Sequence, residues 1–189
     1  MTVRTLGWCT AGIAVAVALV WWGRPARSSL SPMPGADDGS PVVVAFGPDD
    51  PDIDAATARA RETVGELIAV LEETGGRGID AQVKVPIAEG DTVEHVWLEA
   101  VRYEDGMIHG SLASVPMFLR DWQRGDPTMV APDEITDWLM IRGGALTGGF
   151  VLCVTRARME DAERTELDRY FRGSFGARLE SAWPAGCGQ

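Results

Sequence analysis

Glu94-His95-Val96-Trp97 and Asp137-Trp138 are the places in this chain where ionisable side chains meet indole rings at close spacing. A carboxylate that orients an imidazole leaves the other ring nitrogen to bind a ligand or pass a proton, and an indole face beside it suits a sugar or a peptide. Glu94, His95, Trp97, Asp137 and Trp138 are therefore the candidate binding residues. Brought together in an open cleft, Glu94, His95 and Asp137 would suit a hydrolase acting on envelope glycan or peptide. The plainer expectation gives Trp97 and Trp138 to the core, hydrogen-bonds His95 and sets Asp137 to cap a turn. That plainer expectation is preferred, and no catalytic residue is assigned.

Other chemistries fail on spacing. The chain has two histidines, His95 and His109. In the hairpin described below, His109 falls opposite Val101, six residues from His95. At about 3.3 Å per residue that is roughly 20 Å, too far to share an ion whose ligand bonds are near 2 Å. Gly143 and Gly148 have the glycine spacing of a phosphate loop, but Gly149 and Phe150 stand where lysine and a hydroxyl residue are needed. Counting a calcium loop from Asp50 puts Ala55 at the glycine position and Arg61 at the bidentate glutamate position. His109-Gly110-Ser111 is too short a run for a working dyad, and no nucleophile elbow occurs. No metal and no cofactor is implied. Lys84 is the only lysine, so amine chemistry has a single candidate.

The elements that position these residues follow from periodicity. Residues 41–46 form a short apolar run, expected as a strand. Ile53, Ala56, Ala60, Val64, Leu67, Ile68 and Leu71 then fall on one stripe of an amphipathic helix, with Asp52 as its expected N-cap and Gly75-Gly76 as its stop. Residues 81–86 alternate, with Val83 and Val85 inward and Gln82 and Lys84 outward. Residues 91–103 and 107–115 make a hairpin over Asp105-Gly106. With a three-residue loop, Leu98 faces Leu112 and shares its side with Val96 and Ala100. Trp97, Val101 and Tyr103 then take the other side, and both faces are covered. A strand through Met129-Val130 and another over 135–141 follow, then an apolar run at 150–154 of undecided type and a charged helix over 159–171. This order gives an α+β domain with a mainly antiparallel sheet, one amphipathic helix before it and one after it.

The 189 residues are 46% hydrophobic and 24% charged, a globular composition. Net charge is −11; the part before Pro41 carries three arginines and two aspartates, so the rest carries −12. Such a surface repels phosphate backbones, which argues against nucleic acid as a partner. Residues 6–22 hold no charge and would span roughly 25 Å at about 1.5 Å per residue, enough for a short transmembrane helix. Trp8 and Trp21-Trp22 mark its ends, and no small-x-small cleavage site follows, so an uncleaved signal anchor is expected. The organisation read from sequence is an anchor over 1–23, a Pro/Gly/Ser linker over 24–41, a domain over 42–175 and a tail over 176–189. A very short N-terminal tail is expected to stay inside, which would place the domain outside the cytoplasm, in the periplasm or at the cell surface. There Cys153 and Cys187 either pair or remain two free thiols.

Several short pieces occur in a recognisable order. They are Ala60-Arg61-x-Thr63, Val83-Lys84-Val85, Glu94-His95-Val96-Trp97, Gly110-x-Leu112, Gly125-Asp126, Ile135-Thr136-Asp137-Trp138 and Gly148-Gly149-Phe150. In this order the chain from about Asp50 to Arg172 resembles the YegJ-like family of bacterial proteins, a domain of unknown function. Ile53 departs from the methionine expected there, a change confined to packing. The resemblance implies a fold unit and a bacterial source, and carries no activity. Function is therefore expected from the address. The first reading is a membrane-tethered, non-enzymatic binding or accessory module of the envelope, meeting the membrane through its N-terminal helix and a protein or envelope partner through its domain. The alternatives are the hydrolase above and an immunity-type protein that binds a basic partner.

Overall fold

The computed structural model describes residues 29–33, 42–46, 49–175 and 187, with backbone alone for 29–33, 42–46 and 172–175. The expected membrane segment at 6–22 lies outside them, as does nearly all of the expected tail. No helix among the described residues is long and apolar enough to cross a membrane. Strand β1 (Ser29–Met33) pairs antiparallel with β2 (Val42–Phe46). Part of the stretch expected to be a free linker is thus tied into a small two-stranded sheet.

Helix α1 (Pro51–Thr74) follows. Asp50 is its N-cap, not Asp52: its carboxylate accepts from the amides of Asp52 and Ile53 at 3.1 and 3.4 Å. Pro51 takes the first helical position, where a missing N–H costs nothing, and Asp52 and Asp54 face the positive end of the dipole. Gly75 closes the helix in the left-handed region, its amide bonding to the Leu71 carbonyl. The buried residues Ala56, Ala60, Val64, Leu67 and Leu71 form the stripe that periodicity predicts.

A six-stranded antiparallel sheet follows, in the order β6-β5-β4-β3-β7-β8. Its strands are β3 (Asp80–Glu89), β4 (Thr92–Glu104), β5 (Met107–Leu112), β6 (Pro127–Val130), β7 (Asp137–Arg142) and β8 (Ala145–Gly148). The undecided apolar run is a helix, α2 (Phe150–Ala157), and α3 (Asp161–Phe175) ends the domain. One core lies between α1 and the sheet face carrying Val83, Val85, Val96, Leu98 and Trp138. A second lies on the opposite face, where Trp97, Leu139 and Ile141 meet Leu152, Met159, Leu167 and Phe171. Helix α2 joins the two, giving Phe150 to the first and Leu152 to the second.

The β4–β5 hairpin is right at one end and shifted at the other. Leu98 does pair with Leu112. The loop, however, is the two residues Asp105 and Gly106, both at positive φ, which suits the twist of a tight hairpin. A bulge between Glu99 and Arg102 absorbs the difference, with Ala100 at φ 53, so His109 faces Arg102 instead of Val101. The extra residue inverts the alternation beyond it. Val101 and Tyr103 therefore join the α1-side core with Leu98, against expectation. Gly110 lies beneath the bulge; a Cβ there would meet Leu98 Cβ at 3.0 Å and the Glu99 carbonyl at 3.1 Å. That explains the glycine in Gly110-x-Leu112.

Candidate functional site

The two carboxylates singled out from sequence are fully buried, and both are fastened to backbone. Glu94 shares the α1 side of β4 with Val96 and Leu98. One of its oxygens accepts from Met117 N and the other from Phe118 N, each at 2.9 Å. Glu89 accepts from Arg120 N and Asp121 N at 2.9 and 3.1 Å, so two glutamates hold the loop after β5. The loop presents Val115, Met117 and Phe118 to solvent.

Asp137 begins β7 on the opposite face. Its Oδ1 accepts from Trp138 N and Phe150 N, and its Oδ2 from Leu152 N, all at 2.9–3.0 Å. The N-cap of α2, Gly149, has no side chain to offer, and Asp137 caps that helix from the neighbouring strand. Burial outweighs these bonds and pushes the Asp137 carboxyl up to about 6. Trp138 lies on the other side of β7, fully buried, with its Nε1 donating to the Ala60 carbonyl at 3.0 Å. Gly148 and Gly149 pass directly over it: a Cβ on Gly148 would run into the Trp138 carbonyl and ring. The glycine-rich turn is a packing device.

Glu94, His95 and Asp137 thus do not form one catalytic set. Glu94 points away from His95 because neighbouring strand residues face opposite sides of the sheet. A cleft of about 290 Å³ lies elsewhere, at the start of β3 and the β4 bulge, lined by Gly76, Asp80, Gln82, Glu99 and Ala100. No group of three or more His, Cys, Asp or Glu able to hold a metal ion occurs among the described residues.

The sequence reading missed a different constellation on the second face. Lys84 pairs across the ladder with Trp97 on β4 and with Asp137 on β7, so the three form one row over three strands. Lys84 was expected to face solvent, and it does point away from Val83 and Val85. That side is covered, however, and the residue is only 4% exposed. Its Nζ lies 5.6 Å from the centre of the Trp97 ring, which is itself 8% exposed. Among the described residues no hydrogen-bond acceptor or ion-pair partner engages that nitrogen, and it is not sealed from solvent: among the described residues the buried side-chain polar atom without a partner is Arg164 Nε. Burial lowers the Lys84 ammonium to about 8, against the opposing pull of Asp137.

His95 lies one row further along the same face, opposite Pro86. Its Nδ1 is 3.1 Å from Thr136 Oγ1, and Thr136 bonds to the Lys84 carbonyl through its amide at 2.8 Å and its hydroxyl at 3.2 Å. Arg61 reaches over from α1, where its Nε donates to the Ile135 carbonyl at 2.8 Å. Burial lowers the His95 pKa to about 4, assisted by the positive charges of Lys84 and Arg61. Beyond His95 on this face Pro86, Ala88 and Val93 are exposed. His95 therefore marks a seam between the part covered by α2 and α3 and these exposed residues. Arg61, Lys84 and Thr136 lie in the same short pieces that carry the family resemblance. The one signal pointing to Lys84 was that a sheet covered on both sides leaves no solvent-facing side for a lysine.

Cys153 of α2 is joined to Cys187 by a disulfide, which settles the pairing that the sequence left open.

Residues 50–173 match a family described as uncharacterised proteins conserved in bacteria, DUF2314. The chain is 30% identical over 146 residues to a Neisseria meningitidis serogroup B protein whose name attributes ankyrin repeats to it. That match covers 73% of this chain but only 58% of the Neisseria protein. It is 29% identical over 139 residues to the uncharacterised protein YegJ of Escherichia coli K12, covering 71% of this chain and 90% of YegJ. No solved structure matches the chain.

Proposed function

The chain belongs to the DUF2314 family of proteins conserved in bacteria, and we propose that it is a membrane-tethered, non-enzymatic binding or accessory module of the bacterial envelope. The observation that carries this reading is the fate of the two carboxylates a hydrolase would need. Glu94 and Asp137 together accept from five backbone amides, and both are fully buried. A carboxylate so bound holds structure, and neither of its oxygens is left to activate water or protonate a leaving group. Both indoles are likewise core residues, Trp97 on one face and Trp138 on the other. What the domain offers instead is surface: Val115, Met117 and Phe118 exposed on a loop fixed at two points by carboxylates. A rigidly presented apolar tip suits the docking of a protein partner.

The address rests on two supports. Residues 6–22 are uncharged and long enough for a short span, and a disulfide suits an oxidising compartment. The test is made on intact cells producing the full chain. Exposure to external protease after outer-membrane permeabilisation, together with a Cys153–Cys187 bond formed before lysis, supports the reading. A soluble, protease-protected chain with both thiols reduced contradicts it. A basic partner of the immunity type is a second reading, favoured by the charge of −12 beyond the linker; it requires binding that weakens steeply with salt.

A further inference from the structure

Lys84 is costly where it stands. A buried ammonium needs a counter-charge and acceptors to offset its lost hydration. Asp137 faces it across the ladder, but both oxygens of that carboxylate already serve backbone amides. The neighbouring ring, Trp97, supplies no acceptor oxygen. The stem of Lys84 is buried while its nitrogen still reaches solvent, so the ammonium is held at the rim of a covered face with its donors open to a ligand.

The surroundings indicate which ligand. The charged groups acting on His95 are both cations, Lys84 and Arg61. Arg61 is anchored through Nε to the Ile135 carbonyl, and its terminal nitrogens meet no acceptor among the described residues. Its guanidinium fork is thus held in place with its outer edge unused. Thr136 adds a hydroxyl beside the imidazole. In a domain of strongly negative charge, this seam gathers two cations around a half-buried histidine, and it opens toward the exposed Pro86, Ala88 and Val93.

We propose that Arg61, Lys84, His95 and Thr136 form a binding site for an oxyanion group, a phosphate or a carboxylate. Arg61 takes the anion in a forked contact at the surface, and Lys84 supplies the charge from beneath. The acidic remainder of the surface keeps polyanions such as nucleic acid away, so the ligand is small or carries its anion on a short arm. The proposal rests on the reading of the domain as a binding module.

The test is an NMR titration of the purified full-length chain with inorganic phosphate and, separately, with acetate, at ionic strength held constant with chloride. The signals followed are those of the single lysine and of His95. Saturable shifts with phosphate assign a phosphate ligand, and saturable shifts with acetate assign a carboxylate. Lys84→Met should weaken the effective anion by at least about tenfold while melting at or above the temperature of the parent. Arg61→Gln, at an exposed position, should weaken it comparably without unfolding the domain. Absence of saturable shifts with either anion overturns the proposal, as does undiminished binding by Arg61→Gln. Either result leaves the module reading standing, whereas turnover of an envelope glycan or peptide would overturn that reading and leave anion binding measurable.

Discussion

Lys84 and Asp137 stand directly opposite each other on neighbouring strands, both buried, yet the carboxylate spends its oxygens on the amides of Trp138, Phe150 and Leu152. One side of this pair builds the fold by capping α2. The other carries a charge that no acceptor among the described residues engages. The first two predictions follow from this division and from the parallel use of Glu94.

Stability should depend on pH most clearly in alkaline solution. Lys84 is lowered from 10.5 to about 8, so between these values the unfolded chain holds a proton that the folded chain has released. Stability should therefore rise from pH 8 to pH 10.5, by on the order of 3 kcal/mol. No other lysine titrates here. In acid, two groups oppose each other. Asp137, raised from 3.8 to about 6, stabilises below that window and loses the contribution as pH rises through it. His95, lowered from 6.5 to about 4, destabilises as pH falls through nearly the same range. Urea midpoints measured across pH should show the alkaline rise, and Lys84→Met should abolish it.

Glu94→Gln should unfold the loop after β5 and not a reaction. Glutamine keeps one acceptor oxygen and turns an amide toward a second N–H, so one of the Met117 and Phe118 amides loses its partner. The cost is about 1.5–3 kcal/mol, a fall of several degrees in Tm by thermal melting. An unchanged Tm would free Glu94 for chemistry and revive the hydrolase.

Much of the fold was legible because it rests on local periodicity. The α1 stripe from Ala56 to Leu71 and the Leu98–Leu112 pairing are set by apolar spacing, and both are present. The site was less legible because its geometry depends on long-range facts. The bulge at Ala100 has no glycine to announce it, and it moves Val101 and Tyr103 across the sheet. Helix α2 read as an ambiguous apolar run because its cap comes from Asp137, outside its own sequence. Lys84 read as a solvent-facing strand residue because nothing local shows that α2 and α3 cover that face. Glu94, His95, Trp97, Asp137 and Trp138 were picked as a group, and the sheet divides them: His95, Trp97 and Asp137 on one face, Glu94 and Trp138 on the other.

Gly148→Ala should be among the most damaging single changes. Gly148 has φ +79, and an added Cβ would lie 2.8 Å from Trp138 Cε3 and closer still to the carbonyl of the same residue. Both the backbone angle and the contact are unfavourable. Circular dichroism should show loss of cooperative folding or a large fall in Tm. Gly106→Ala, at an open turn, should cost much less.

Cys153→Ala with Cys187→Ala removes a cross-link of sequence separation 34. Loop closure of that length contributes about 4 kcal/mol, so the variant should melt markedly lower than the oxidised parent. The reduced parent should match the variant.

The most direct test uses the fact that the chain holds one lysine. Protein labelled with ¹³C at lysine Cε gives a single signal, and its pH titration reports Lys84 alone. A midpoint near 8 is the result expected of a buried ammonium without acceptors. A midpoint at the ordinary value of about 10.4 would mean that Lys84 is hydrated or paired, and the oxyanion seam would lose its foundation.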